Sequence, residues 1–429
     1  MLIIKNGYLI EPESGYEGYK DIIINGTKIV DIVDKDCVKV EKLLQDTANQ
    51  VIDADGKIVT AGLVDGHVHF RDPGFTYKED IETGARASAR GGFTSVVMMG
   101  NTNPHMDNVE TIKYALDKGK KTGINVYTCA NVTMNMEGKE QVDMEKLLDA
   151  GAVLFTDDGK PITDEKIMEA VCKKAAVLDK VVSLHEEDPK FITDNGINAG
   201  AVAGKLGITG SPREAEISMV KRDIEIAERT GAKITVQHIS AAESVDLIRQ
   251  AKKRGVKVYA EATPHHFTLT EDAVLKHGTL AKMNPPLRLE SDRLAIIEGL
   301  KDGTIEMIAT DHAPHSKEEK DKPIKEAPSG ITGIETSLLL GIREIVDKGY
   351  MTLSELLKRM TICPAKIYGL DAGSVKVGGK ADLVIFDNKT EWVFDKTYSK
   401  ASNTPFLGEK FPARVLYTIC CGKVVYEAD

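Results

Sequence analysis

The stretch GLVDGHVHFR, residues 62–71, decides how the rest of the chain reads. Its apolar start suits a short buried strand. The two-residue period of a strand then sends His67 and His69, with Arg71 two further on, to one face. Two imidazoles aimed at one point suit a divalent cation such as zinc, although on its own the pair also fits two solvent-facing histidines at a strand end.

Working outward, seven more segments of this kind follow at residues 94–101, 124–132, 152–159, 181–188, 234–240, 257–266 and 305–315, and helical stretches separate them. Such alternation predicts a parallel sheet with crossover helices. Eight units within residues 59–366 suit a closed (β/α)8 TIM barrel of the α/β class, with an open doubly wound sheet as the competing architecture. Residues 1–58 and 367–429 instead alternate apolar and polar positions between Asn-Gly, Asp-Gly and Gly-Gly turns. They are expected to pair as short antiparallel strands into one composite β-sandwich domain, since each alone would be marginal. Ser211, Pro212 and Glu214 read as a capping box opening a helix that runs to Gly231. The charged segment 316–330, SKEEKDKPIKEAPSG, reads as a surface loop able to act as a lid.

The composition narrows the partners. A formal net charge of −10 leaves no basic footprint for nucleic acid. No run reaches the length of a membrane span, and the start lacks the pattern of a signal peptide. The six cysteines form no C-x-x-C pair, so neither a disulfide framework nor a thiolate zinc site is expected, and the chain is expected to be cytoplasmic.

Further candidate ligands stand at the carboxyl ends of later strands: Asp157, His185, His238 and Asp311. Barrel active sites lie at that end. Any one of them could be an ordinary capping residue; together with His67 and His69 they suffice for two metals sharing a carboxylate and a water. Such a pair lowers the pKa of the water and polarises a carbonyl, which implies hydrolysis. An amide nitrogen leaves only when protonated, so a carboxylate must carry the proton across, and Asp311 is the candidate. Arg71 could hold a substrate carboxylate with its guanidinium fork, or form a structural salt bridge. Asn101 and Asn284 could bind substrate or merely turn the chain. His315 could hydrogen-bond substrate or face solvent. His265 and His266 read as structural or supporting residues, and His105 and His277 as surface ones.

With these residues in place, the chain resembles the dihydroorotases of the amidohydrolase superfamily, of the bacterial type that carries an aspartate instead of a carboxylated lysine. DGHVHFRDPG, MGNTNP, FTDDG, SLHEED, QHIS, EATPHH, MNPPLR and TDHAPH occur in the family's order over essentially the whole chain. The resemblance implies that His67, His69 and Asp311 hold one zinc, His185 and His238 a second, and Asp157 bridges them; the choice of Asp157 over Asp158 rests on the family pattern alone. It implies that Arg71, Asn101 and His315 bind the substrate carboxylate, while Asn284 and backbone groups near Pro328 and Gly330 read the ring edge. The reaction implied is reversible interconversion of dihydroorotate and N-carbamoyl-L-aspartate in pyrimidine biosynthesis, by a homodimer that could associate with aspartate carbamoyltransferase. Two departures stand out: Gly100 replaces a usual Pro before Asn101, and Ser329 replaces a usual apolar residue.

The rival readings are a hydantoinase or allantoinase, whose neutral ring would leave Arg71 and Asn101 without a carboxylate, and a metal-free scaffold, which would have lost ligands. A metal-storage module would explain neither the base nor the clamp.

Overall fold

The computed structural model describes residues 1–429. Its centre is a ring of parallel strands. Leu63–Val68, Phe93–Met98 and Asn125–Thr128 pair in order, and Val181–Leu184, Lys233–Val236, Val258–Ala262 and Met307–Ile308 form a second run. A narrow fourth position joins the runs, because Phe155 bridges Ala130 on one side and Val182 on the other. The His312 bridge to Val68 closes the ring. Eight positions therefore make a closed barrel, with no open sheet edge for a doubly wound alternative.

Helices cover the outside, and their starts follow local chemistry. Asp80, Asn108 and Asp164 cap the helices Ile81–Arg90, Val109–Gly119 and Glu165–Val177 by accepting backbone N–H groups. The expected capping box at Ser211 does not form. The Ser211 N–H donates to the Ile197 carbonyl at 2.7 Å, so the chain is still bridged to its neighbour there, and the helix runs over Glu214–Thr230. Gly231, at φ +72°, ends it as expected.

Both chain ends enter one eight-stranded sheet. The long first strand, Leu2–Glu11, pairs antiparallel with Tyr16–Asn25. It also pairs parallel with Gln50–Asp53 and with Ile58–Ala61, where the turn pattern predicts only antiparallel neighbours. Asn6-Gly7 is a bulge inside that strand and not a turn, with Asn6 at φ +58°. Glycine is required there because a Cβ on Gly7 would lie 2.5 Å from Val59 Cγ2. Ile58–Ala61 pairs with Leu383–Asp387, which joins the two ends of the chain. Alternation along Leu383–Asp387 anchors this sheet. Leu383 and Ile385 pack with Ile4, Ile22 and Ile24 in the sheet's own core. Val384 and Phe386 point the other way, into the barrel core.

Candidate metal centre and substrate pocket

The carboxyl ends of the barrel strands surround a cavity of about 290 Å³. His69, Asp158, His185, His238 and Asp311 form its floor, and Arg71, His315, Ser329 and Gly330 stand along one wall. A larger cavity, about 680 Å³, lies between the helices Ile81–Arg90 and Val109–Gly119 and contains no histidine.

Two groups of donors in the floor could hold a metal ion: His67, His69 and Asp158, and Asp158, His185 and His238. The carboxylate common to both is Asp158, not Asp157. Its oxygens lie 3.3 Å from His69 Nε2, 3.5 Å from His67 Nε2, and 3.7 Å from both His185 Nδ1 and His238 Nε2. Asp157 is turned away into the loop after the third strand, where it accepts the backbone N–H of Val132 at 2.8 Å and of Thr133 at 3.2 Å, and the Thr133 hydroxyl. The chain turns at this point, the Lys160 N–H closing on the Asp157 carbonyl at 2.9 Å, and the two side chains leave it in different directions. Asp311 sits beside the first group, 3.0 Å from His69 Nε2 and 3.6 Å from His67 Nε2.

The donors fit metal ions better than mutual hydrogen bonds. Ligands about 2.0–2.1 Å from a tetrahedral zinc stand roughly 3.4 Å apart, close to the separations here. His67 Nε2 is buried and has no hydrogen-bond partner. Its other nitrogen, Nδ1, is 3.2 Å from Glu261 Oε2, and Glu261 also accepts the Tyr368 hydroxyl. His185 Nε2 lies 3.3 Å from Glu187 Oε2, and His69 Nδ1 lies 2.9 Å from Asn101 Oδ1. Three imidazoles thus have their outer nitrogen engaged and their inner lone pair aimed at the floor, the arrangement of ligating histidines. Sequence reasoning singles out neither Glu261 nor Glu187. The available signal is a glutamate at the end of a buried strand, Glu261 in Val258–Ala262 and Glu187 just beyond Val181–Leu184, where a charge needs a partner.

The electrostatics follow from burial among opposite charges. Burial alone would raise the Asp158 carboxyl, but the surrounding imidazoles, His67 first and then His238 and His69, hold it well below the usual range. Asp311 is lowered in the same way, burial being outweighed by the hydrogen bond with His69 and the charges of His67, His69 and His238. Asp157 is raised by burial, which outweighs its hydrogen bonds from Thr133, Val132 and Asn131. Burial, followed by the charges of Arg71, Lys78 and Lys320, pushes His315 down to about 2, so its imidazole is neutral.

The wall residues come together around Arg71. Its Nε donates to the Pro314 carbonyl at 3.3 Å and its Nη2 lies 3.4 Å from His315 Nε2. It forms no ion pair with any carboxylate of the chain. Asn101 keeps Nδ2 directed to the pocket, 3.4 Å from Asp158, while Asn284 Nδ2 is 3.4 Å from His185 Nε2 and its Oδ1 is buried without a partner. Gly100 lies flat against Asn131, where a Cβ would come within 2.6 Å of Nδ2, so the glycine fits this turn closely. The expected backbone readers do not stand free. The Gly330 N–H donates to the Lys282 carbonyl, the Gly330 carbonyl accepts from both Lys320 and Asn403, and the Pro328 carbonyl accepts from Lys320. Arg71, His238 and Asp311 all have positive φ, +59°, +32° and +45°. Three non-glycine residues held in that region at one site cost about 1–3 kcal/mol each, a concentration typical of functional sites. His265 and His266 are buried, with His266 fixed between Thr263 and the Pro285 carbonyl; His105 and His277 lie half-buried and outside the pocket.

A family model described as the amidohydrolase family matches residues 58–425. The chain belongs to the amidohydrolase family. The dihydroorotase of Clostridioides difficile (strain 630) is 52% identical to it over 428 residues, with 100% of both chains covered. That of Clostridium acetobutylicum is 49% identical over 429 residues, again with 100% of each covered. Among solved structures, an L-hydantoinase (dihydropyrimidinase) from Arthrobacter aurescens has a TM-score of 0.86 at 25% identity, covering 99% of this chain and 96% of that one.

Proposed function

We propose that the protein is a dihydroorotase, which reversibly hydrolyses (S)-dihydroorotate to N-carbamoyl-L-aspartate in pyrimidine biosynthesis. The observation that carries this reading is Arg71: a guanidinium at the pocket wall, beside a neutral imidazole, with no carboxylate partner of its own. An unpaired cation in such a place is costly unless an anion arrives to pair with it. A ring bearing a carboxylate supplies that anion; a neutral hydantoin does not.

His67, His69 and Asp311 would hold one zinc, His185 and His238 the other, with Asp158 shared between them. Bound there, the ions would activate water and polarise the amide carbonyl. Arg71, with Asn101 Nδ2 and His315 Nε2, orients the substrate by its carboxylate. Asn284, whose Oδ1 lacks a partner, is placed to receive a ring N–H. An Asp311 carboxylate oxygen takes the proton of the attacking water and returns it to the departing amide nitrogen. Asp311 is placed for this role beside the first donor group, 3.0 Å from His69 Nε2 and lining the pocket. All six cysteines are unpaired, which supports a cytoplasmic location as part of this reading. No helix is long and apolar enough to cross a membrane. A homodimer, and association with aspartate carbamoyltransferase, belong to the same reading and are read by sedimentation of the chain alone and mixed with that enzyme.

The test is hydrolysis of dihydroorotate beside dihydrouracil, hydantoin and allantoin, with metal content measured on the same sample. Strong preference for dihydroorotate with about two ions per chain is expected. Turnover of uncharged rings only would overturn the substrate, and a metal-replete but inert protein would overturn the activity.

A further inference from the structure

Two lysines are buried at the loop of residues 316–330 without a counter-ion. Lys320 is 4% exposed and Lys282 is 5% exposed, and neither forms an ion pair. A buried ammonium in that state is expensive unless its N–H groups find acceptors. Here backbone carbonyls provide them. Lys282 Nζ donates to the carbonyls of Ile324 at 2.7 Å, Ala327 at 2.8 Å and Lys325 at 3.3 Å. Lys320 Nζ donates to those of Pro328 at 2.9 Å and Gly330 at 3.1 Å.

The carbonyls of one short stretch therefore turn inward onto two cations. The same stretch is tied to the pocket on its far side. Asn403 donates to the carbonyls of Ala313 and Gly330, both at 3.0 Å, and its Oδ1 accepts the His315 N–H at 3.0 Å. The two lysines thus fix the segment whose Ser329 and Gly330 line the pocket together with Asn284.

We propose that Lys282 and Lys320 are positioning residues, which hold this loop as a standing wall of the pocket so that His315 and Arg71 are placed before substrate arrives. The loop is then not a lid that closes on binding. The kinetic part of this inference rests on the dihydroorotase reading; the structural part does not.

Hydrogen exchange of the metal-loaded wild-type enzyme reads the structural part without any substrate. The amides of Glu326, Ala327 and Gly330 are expected to be protected in the free enzyme, and adding N-carbamoyl-L-aspartate should slow them by less than about threefold. Unprotected amides that gain on the order of a hundredfold on binding would overturn the proposal. Lys320→Met keeps the aliphatic stem and removes the donors. It should raise KM for dihydroorotate about tenfold or more, leave kcat within about threefold, keep the metal content, and release the loop amides. Unchanged KM or unchanged exchange in that variant would contradict the assignment. If the variant does not fold, the wild-type exchange still decides. Should dihydroorotate not be the substrate at all, the KM arm and the ligand-addition comparison are lost, while protection of these amides in the free enzyme still tests the structural part: unprotected amides there would overturn it.

Discussion

The floor and the wall of the pocket are held in different ways. The floor is made of strand ends, where His67 is aimed by its strand and His69, His185 and His238 by the first residues beyond theirs, and glutamates from the strand ends hold outer nitrogens. The wall is made of loops, aimed by contacts between residues far apart in sequence, such as Asn403 with His315 and Lys282 with Ala327. On the proposed reading the floor holds cations and does the chemistry, and the wall recognises an anion. The difference implies that substitutions in the floor should destroy turnover on every substrate, whereas those in the wall should change which substrate is taken.

The sharpest break in that contrast would come from the adjacent aspartates. Asp158→Asn should lose metal from both groups and abolish turnover, as read by metal analysis and assay. Asp157→Asn should retain metal and cost about 1–3 kcal/mol of folding stability in denaturant titration, through its bonds to Val132 and Thr133. The opposite pattern would return the bridging role to Asp157. Next in size, Asp311→Asn should keep at least one metal and lose about 10²–10⁴-fold in turnover; activity near that of the parent would remove it as the proton carrier.

At the wall, Arg71→Ala should lower kcat/KM for dihydroorotate about a hundredfold while leaving dihydrouracil unaffected, the scale of a lost charge-assisted pair. Equal losses on both substrates would place Arg71 with the floor. The smallest effect concerns pH. His315 is lowered to about 2 in the fold, against about 6.5 in an unfolded chain. Its contribution to stability is therefore full above pH ~6.5 and is lost as the pH falls below that value, because the unfolded chain then binds the extra proton. His315→Asn should flatten the decline in stability between about pH 6.5 and 5, by up to about 1.4 kcal/mol per pH unit. An unchanged slope would mean that the imidazole is not held neutral.

Much of the floor is legible in the sequence because a two-residue period fixes direction: His67 and His69 follow from spacing, and His185, His238 and Asp311 from their places at strand ends. The choice between Asp157 and Asp158 is not legible in this way, because the fourth strand is reduced to bridges at Phe155 and the two aspartates stand where the chain turns out of it. The wall is less legible. Arg71 and His315 stand out as residue types near the right motifs, while the backbone groups of Pro328 and Gly330, free in the sequence reading, are occupied by Lys320, Asn403 and Lys282. Lysines in a charged stretch read as solvated, and nothing local reveals that Lys320 turns inward. The end sheet is legible as strands and turns, but its parallel pairings depend on long-range contacts that period alone does not encode.

The most direct test is a crystal structure of the zinc-loaded protein with N-carbamoyl-L-aspartate bound, with the ions located by anomalous scattering. The account predicts two ions sharing the Asp158 carboxylate and the ligand's α-carboxylate on Arg71. Ions bridged by Asp157, or a ligand carboxylate held away from Arg71, would contradict it.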